Sequence, residues 1–432
     1  MMRKELLGRM FRTAAMIMII SMLAGACSKN NGPEKPEDNT GQTTGPGGNG
    51  SGDQGNSGNE GGSGDEGGNE GGTSGGDHGG SGDSGDQGGS GDSGDQGGSG
   101  GSGDQGDQPK PQITANSWMT AIDDDTKIAL LTIPGTHDAA TSTCAGPGKC
   151  QTLTISGQLE HGVRAFDLRP TMDDNSTLGN IYHSILDTGV SMEDAMKYFD
   201  SFLKAHPGEG IIVIMRYESE RQIFGSIAED NYKTAMKNFL WDSRIYQSRM
   251  AAFNRSMTMK DLRGKILIIS RNDLSPVSTF ETAYTQWSHS NSVGEALQIY
   301  GTGGLGRIYV QDMYSAEKNG NSSEADFLAK KKELVCKLLD ITVPFREYEQ
   351  NNWVINYCSG YAGSSFASDS YAKNAASTNP AALEHIQAHT GKGFTGIVMM
   401  DYAGTDTYEV GGSTFSVSGK SLTEALIMNN FQ

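Results

Sequence analysis

The chain has 432 residues, a formal net charge of −18 and a sequence pI near 4.8. A protein this acidic is a poor partner for nucleic acid, whose phosphates require a basic face. No Cys-x-x-Cys occurs among its five cysteines, which argues against a thiolate zinc site.

Met1 to Cys27 has the make-up of an export signal. Arg3, Lys4, Arg9 and Arg12 are basic, Ala14 to Leu23 is apolar, and Ala24-Gly25-Ala26 are small. The apolar run is shorter than the ~20 residues a spanning helix needs. Leu23-Ala24-Gly25-Ala26-Cys27 resembles a bacterial lipobox, although Leu23 lies one position further back than usual. The expectation is a protein lipid-anchored through Cys27 in the cell envelope, with plain secretion as the alternative.

Residues 28–111 read as a disordered tether dominated by Gly, Ser and Asp. Within it GSGDSGDQG at Gly80–Gly88 repeats at Gly89–Gly97. Such a segment buries too little apolar surface to offset its ordering entropy. From Ser28 to Gln108 it carries 15 Asp and Glu against two Lys, and so supplies −13 of the −18. Calcium binding by the Asp-rich repeat is a rival reading, but no apolar residue recurs from which to build a β-helix.

Residues 112–432 suit one large α/β domain or barrel. The apolar run Ile128 to Ile133 reads as a strand ended by Pro134-Gly135, which delivers His137 and Asp138 at its end. Cys144 and Cys150, in the loop that follows, are close enough in sequence to pair in an oxidising envelope. Val163 to Arg169 reads as a second strand, with Asp167 and Arg169 two apart on one face. Asp173-Asp174-Asn175 signals a turn, and Leu178 to Tyr182 leads into His183. Ser191-Met192-Glu193-Asp194 looks like a capping box opening a helix to Ala205. Ile211 to Arg216 is a strand buried on both faces. Lys265–Ser270, Arg307–Val310, Trp353–Tyr357 and Gly396–Met400 are further strands, and Gly301–Gly306 is a loop. Helical stretches at Ser323–Leu339 and Pro380–His389 lie between strands, so a parallel sheet with helical crossovers is expected.

Each strand leads into polar residues at its C-terminal end: His137 and Asp138, Asp167 and Arg169, Arg216 and Glu218, Arg271, Asp312 and Tyr314, and Asp401. In a (β/α) barrel those ends ring one mouth. Two histidines, carboxylates and arginines there suit acid–base chemistry on a phosphoryl group. One His takes a proton, the other gives one, and a guanidinium faces phosphate oxygens. No P-loop, His-Glu-x-x-His or nucleophile-elbow pattern occurs. His161, His206, His289, His385 and His389 read as surface or structural.

Ile133-Pro134-Gly135-Thr136-His137-Asp138, Ala165-Phe166-Asp167-Leu168-Arg169 followed by Asp-Asp-Asn, Val310-Gln311-Asp312-Met313-Tyr314, and Met400-Asp401-Tyr402 together resemble bacterial phosphatidylinositol-specific phospholipase C. The resemblance spans nearly all of 112–432. It implies a single catalytic domain folded as a distorted TIM-type barrel. It also implies attack of the inositol 2-hydroxyl on phosphorus, expelling diacylglycerol and leaving 1,2-cyclic inositol phosphate. On it, His137 is the general base, Asp401 its partner, Asp138 an aid to the leaving group, Arg169 the phosphate clamp and His183 the general acid. Tyr182-His183-Ser184 departs from the family's His-His-Gly. Arg216, Arg271, Asp312 and Tyr314 resemble the inositol-binding group, with Arg216 where the family commonly has Lys. No metal or other cofactor is implied. The partner is a phosphatidylinositol-containing membrane surface, met by a monomer through Tyr361 and Phe366 on the loop Ser359–Ser370. The alternatives are a metal-dependent glycerophosphodiester phosphodiesterase and a surface binding module that has lost catalysis.

Overall fold

The computed structural model describes residues 113–432 except 173–176, 219–228, 241–243, 275–281, 317 and 319–321. The export signal, the tether and the Asp173-Asp174-Asn175 turn lie outside the described residues.

Twelve strands matter to the site. They are β1 (Thr132–Thr136), β2 (Ala165–Leu168), β3 (Pro170–Met172), β4 (Leu178–His183), β5 (Leu186–Ser191), β6 (Ile211–Met215), β7 (Ile266–Ser270), β8 (Ala283–Tyr284), β9 (Glu295–Gly301), β10 (Gly304–Gln311), β11 (Asn352–Tyr357) and β12 (Gly396–Met400). The closed barrel runs β1-β12-β11-β10-β9-β8-β7-β6-β2. Eight of these strands pair in parallel, and β9 is inserted antiparallel between β8 and β10. This is the distorted TIM-type barrel expected, with an antiparallel strand the sequence reading lacked. Gly301–Gly306 is the tight end of the β9–β10 hairpin rather than a loop. The small sheet β3-β4-β5 carries His183 at the end of β4.

The longer helices are α1 (Met192–Ala205), α2 (Glu229–Leu240), α3 (Glu324–Thr342), α4 (Ser370–Ala388) and α5 (Gly419–Met428). The Ser191–Asp194 capping box forms as expected at the start of α1. No helix among the described residues is long and apolar enough to cross a membrane.

Alternation builds the barrel, because successive strand side chains point to opposite faces. Phe166, Leu168, Ile211, Val213, Ile266 and Ile268 pack in the layer that includes helix residues Met196, Phe199 and Leu339. Ile133, Ala165, Ile212, Ile214, Leu267, Ile269, Ile308, Val310, Trp353, Ile355, Ile397 and Met399 fill the second cluster, the barrel interior. At the N-terminal end of the strands, buried Arg164 pairs with Glu209 at 2.8 Å, which also accepts from Met119 N and Thr120 N. Charges at that end serve stability.

Two boundaries differ from expectation. Ile128–Leu130 is a short 3-10 turn, and β1 begins only at Thr132 and runs on through Pro134 and Gly135. Pro134 is tolerated because its missing donor would face the start of β2, where the Gly162 carbonyl is taken by Trp118 Nε1–H at 3.0 Å. Gly135 serves close approach: a Cβ there would lie 2.4 Å from Met399 Sδ. Helix α4 begins ten residues before Pro380, which sits inside it.

Candidate active site

The interior alternation of each strand, continued one or two steps past the last apolar residue, produces the mouth. Ile133 and Gly135 lead to His137, Ala165 and Asp167 to Arg169, and Ile212 and Ile214 to Arg216. Leu267 and Ile269 lead to Arg271, Ile308 and Val310 to Asp312 and Tyr314, and Ile397 and Met399 to Asp401. His137, Arg169, His183, Arg216, Arg271, Asp312 and Tyr314 line one open cavity of about 290 Å³. Asp138 and Asp401 lie buried behind the histidines. All nine residues singled out from the sequence are thus brought to one place.

His137 Nδ1 lies 2.9 Å from Asp401 Oδ1. A carboxylate only accepts, so Nδ1 carries the proton and Nε2 is left as the base. The pair is stapled by Gln151, whose Nε2 donates to the carbonyls of His137 at 2.8 Å and Met400 at 2.9 Å. Asp138 follows His137 with a left-handed backbone, φ 44°. Its Oδ2 lies 3.2 Å from His137 Nε2 and 3.4 Å from His183 Nε2, at ion-pair distance from both without hydrogen-bond alignment to either. Its Oδ1 faces Arg169 Nε at 3.0 Å. Arg169 Nη2 also donates to Asp167 Oδ2 at 3.0 Å, so Asp167 orients the guanidinium.

Burial works to lower the His137 pKa, but Asp138 and Asp401 outweigh it and the value is raised above 6.5. Burial works to raise that of Asp138, yet Arg169 and both histidines hold it well below the usual carboxylate range. Burial raises Asp401 despite His137. Burial opposes the charge on Arg169, but Asp138 and Asp167 raise its pKa further, so it stays a cation.

His183 comes from β4, outside the barrel, yet its ring enters the same mouth. Its Nδ1 donates to the Gly148 carbonyl at 3.0 Å, so Nε2 is its working nitrogen. On the opposite wall, Arg271 stacks over the Trp287 ring at 4.1 Å and approaches Asp312 Oδ2 at 3.6 Å, which accepts from Trp287 Nε1 at 2.9 Å. Arg216 stands loosely by Glu218, at 3.5 Å. Tyr314 N–H donates to His289 Nδ1 at 3.1 Å, and Lys318 bonds the Tyr314 hydroxyl. His289 is thus structural, as read.

Several residues of the mouth escaped the sequence reading. Tyr357 continues Trp353 and Ile355 inward and lies edge-on to His137, a placement the alternation itself signals. Trp287, Lys318, Gln151 and Tyr371 carry no such signal. Tyr361, expected on the rim, instead lines the cavity between Tyr314 and Tyr371, whereas Phe366 is 56% exposed. Cys144 and Cys150 are buried thiols rather than a disulfide.

His137, Asp138 and Cys150 bring possible metal-ligand atoms within 4.8 Å of one another. Arg169 already offers Asp138 a permanent positive charge at 3.0 Å, and a divalent ion would be repelled by it.

Residues 135–272 match the family model described as phosphatidylinositol-specific phospholipase C, X domain. A protein of Listeria monocytogenes named 1-phosphatidylinositol phosphodiesterase is 35% identical over 170 residues, 38% of this chain and 51% of that protein. The chain therefore spans about half the length of that relative. A protein of the same name from Staphylococcus aureus is 26% identical over 303 residues, 67% of this chain and 88% of its own. A crystal structure of the phosphatidylinositol-specific phospholipase C from Staphylococcus aureus is similar with a TM-score of 0.57 and 23% identity, covering 72% of this chain and 97% of that one. This last likeness concerns the fold. The motif resemblance to the bacterial phospholipases stands on family model, relatives and barrel together.

Proposed function

We propose that this protein is a phosphatidylinositol-specific phospholipase C, cleaving phosphatidylinositol to diacylglycerol and 1,2-cyclic inositol phosphate. The observation that carries it is one buried carboxylate, Asp138, set between the Nε2 atoms of two histidines and against Arg169. With the headgroup in the cavity, the 2-hydroxyl gives its proton to His137 Nε2 as its oxygen attacks phosphorus. The bond from phosphorus to the diacylglycerol oxygen breaks, and that oxygen takes the proton of His183 Nε2. Asp401 holds the base's tautomer and stabilises the imidazolium. Arg169 offsets charge growing on the phosphoryl oxygens. Asp312, Arg271, Arg216 and Tyr314 give the opposite wall the donors, acceptors and ring face that a polyol requires.

The family model and the named relatives support the reaction class. Cleavage of glycosyl-phosphatidylinositol anchors, a monomeric state and lipid anchoring through Cys27 are further parts of the same proposal. The glycerophosphodiesterase alternative is disfavoured because Arg169 already occupies Asp138 with a positive charge at 3.0 Å. The inactive-module alternative is disfavoured because every acid–base group is in place.

The test is phosphorus NMR of the water-soluble product from phosphatidylinositol vesicles, with diacylglycerol quantified by chromatography. Cyclic inositol phosphate with an equal yield of diacylglycerol is expected. Hydrolysis only of deacylated glycerophosphoinositol, with no cyclic product, would refute the assignment.

A further inference from the structure

Tyr371 opens helix α4, far in sequence from every motif residue, yet its buried ring reaches the acid–base pair. Its hydroxyl lies 3.1 Å from His183 Nε2, and its ring centre is 5.5 Å from that of His183 and 6.3 Å from that of His137. Because His183 Nδ1 is committed to the Gly148 carbonyl, Nε2 is the only nitrogen through which that ring can work.

We infer that Tyr371 is a positioning residue for His183, its hydroxyl serving Nε2 as hydrogen-bond acceptor before proton transfer and as donor after it. A hydroxyl can do both, by rotating about its C–O bond. While Nε2 is protonated, its N–H has the Tyr371 oxygen at 3.1 Å and Asp138 Oδ2 at 3.4 Å to lie against. Once the proton has gone to the leaving oxygen, Nε2 holds a lone pair in a buried site. Asp138, an anion, can only repel it, and the Tyr371 O–H can fill it. Burial, with Cys150 and Asp138 nearby, pushes the Tyr371 hydroxyl well above its ordinary pKa, so the donor keeps its proton. The neighbouring Tyr182 hydroxyl turns away to Asp187 at 2.9 Å, so the hydroxyl at Nε2 comes from α4.

This inference rests on His183 as the general acid, and the experiment separates the two. Tyr371→Phe removes only the hydroxyl. It is assayed beside His183→Ala on phosphatidylinositol and on a soluble inositol phosphodiester with nitrophenol as leaving group. An alkoxide must be protonated as it leaves, whereas nitrophenolate need not be. For Tyr371→Phe the expected result is a fall of about tenfold or more in kcat on phosphatidylinositol, the size of one hydrogen bond to a charged group. KM should be little changed, and the loss on the nitrophenyl substrate should be under about threefold by the same leaving-group logic. His183→Ala should show the same asymmetry, enlarged. If Tyr371→Phe loses equally on both substrates, or loses nothing, while His183→Ala keeps its asymmetry, the role of Tyr371 is overturned and the acid stands. If His183→Ala shows no asymmetry, the acid assignment falls and this inference with it.

Discussion

Replacing Asp401 by Asn tests the base most directly. Asp401 is fully buried, and its Oδ1 holds His137 Nδ1 at 2.9 Å. The substitution keeps the shape and removes the charge. With charge centres about 4 Å apart and an effective dielectric near 20, the pair is worth about 4 kcal/mol to the imidazolium. That energy appears only when His137 has taken a proton, so it falls on the transition state rather than on substrate binding. It corresponds to roughly 10³ in rate, and the loss of a fixed tautomer lies in the same range of about 10²- to 10⁴-fold. The fold should be spared, because burial already opposes the Asp401 charge and its Oδ2 has no hydrogen-bond partner. The pH profile should move as well. The base must be neutral, and the pKa of His137 is raised in the wild type, so activity climbs with pH through a value above 6.5. Without Asp401 that limb should shift to lower pH, while Asp138 still holds part of the elevation. The assay is kcat/KM on phosphatidylinositol vesicles across about pH 5 to 9, the span in which a histidine titrates, with circular dichroism as the fold control. A loss below tenfold, or an unmoved acid limb, would refute the pairing of Asp401 with the base.

Phe366→Ser should weaken vesicle binding by about 10- to 100-fold, the value of one buried Phe, without altering turnover of a soluble diester; equal losses on both would exclude the rim role. Excess EDTA should leave activity unchanged, since Arg169 already supplies the positive charge beside Asp138. An enzyme silenced by chelation and restored by calcium would reverse that assignment. Lys331 is fully buried in α3, its ammonium donating to Gln311 Oε1 at 3.2 Å, and burial lowers its pKa from 10.5 to about 8. The unfolded chain therefore binds more protons between those values, so this group makes stability rise with pH across that window. Lys331→Met should remove about 3 kcal/mol of the rise, read from urea unfolding at both ends of the window.

Much of this was legible because the barrel interior and the active site obey one rule. A strand with apolar residues at every second position, followed two residues later by a charge, announces an interior residue at the mouth, and Arg216, Arg271, Asp312 and Asp401 all follow it. Tyr357 follows it too and was passed over only because Tyr also fits an apolar run. Helix α4 was harder to see. Its inner face uses Asn374, Thr378 and Asn379, which are buried with their donors satisfied by the carbonyls of Cys358 and Asp401. Polar letters there hide the helical period, and Pro380 suggests a beginning where there is only an interior position. Tyr371 was illegible for a different reason. Its role depends on where α4 lands, which no local pattern encodes. The antiparallel β9 was hidden by composition, since Ala296, Gln298 and Tyr300 on its exposed face break the apolar–polar alternation and its turn is glycine-rich.

On the proposed mechanism, the placing of Asp138 lets two histidines share the proton work across one carboxylate. Each imidazole has its Nδ1 proton fixed by a different acceptor, Asp401 for one and Gly148 for the other. Both Nε2 atoms then face one carboxylate oxygen. The proposed mechanism requires one imidazolium and one neutral ring across that oxygen. In that mechanism His183 carries the proton before the chemical step and His137 carries it afterwards. The step therefore moves a positive charge from one side of Asp138 to the other, while the total charge beside Arg169 stays constant. A fixed anion flanked by its two alternating counter-ions needs little reorganisation as the proton load changes sides, which is the condition under which preorganised charge lowers a barrier most. The cyclic product leaves the roles reversed. In the reverse sense, water attacking the cyclic diester would give its proton to His183 while the bond between phosphorus and the 2-oxygen breaks and that departing oxygen takes a proton from His137, so the same geometry that makes the ring can open it.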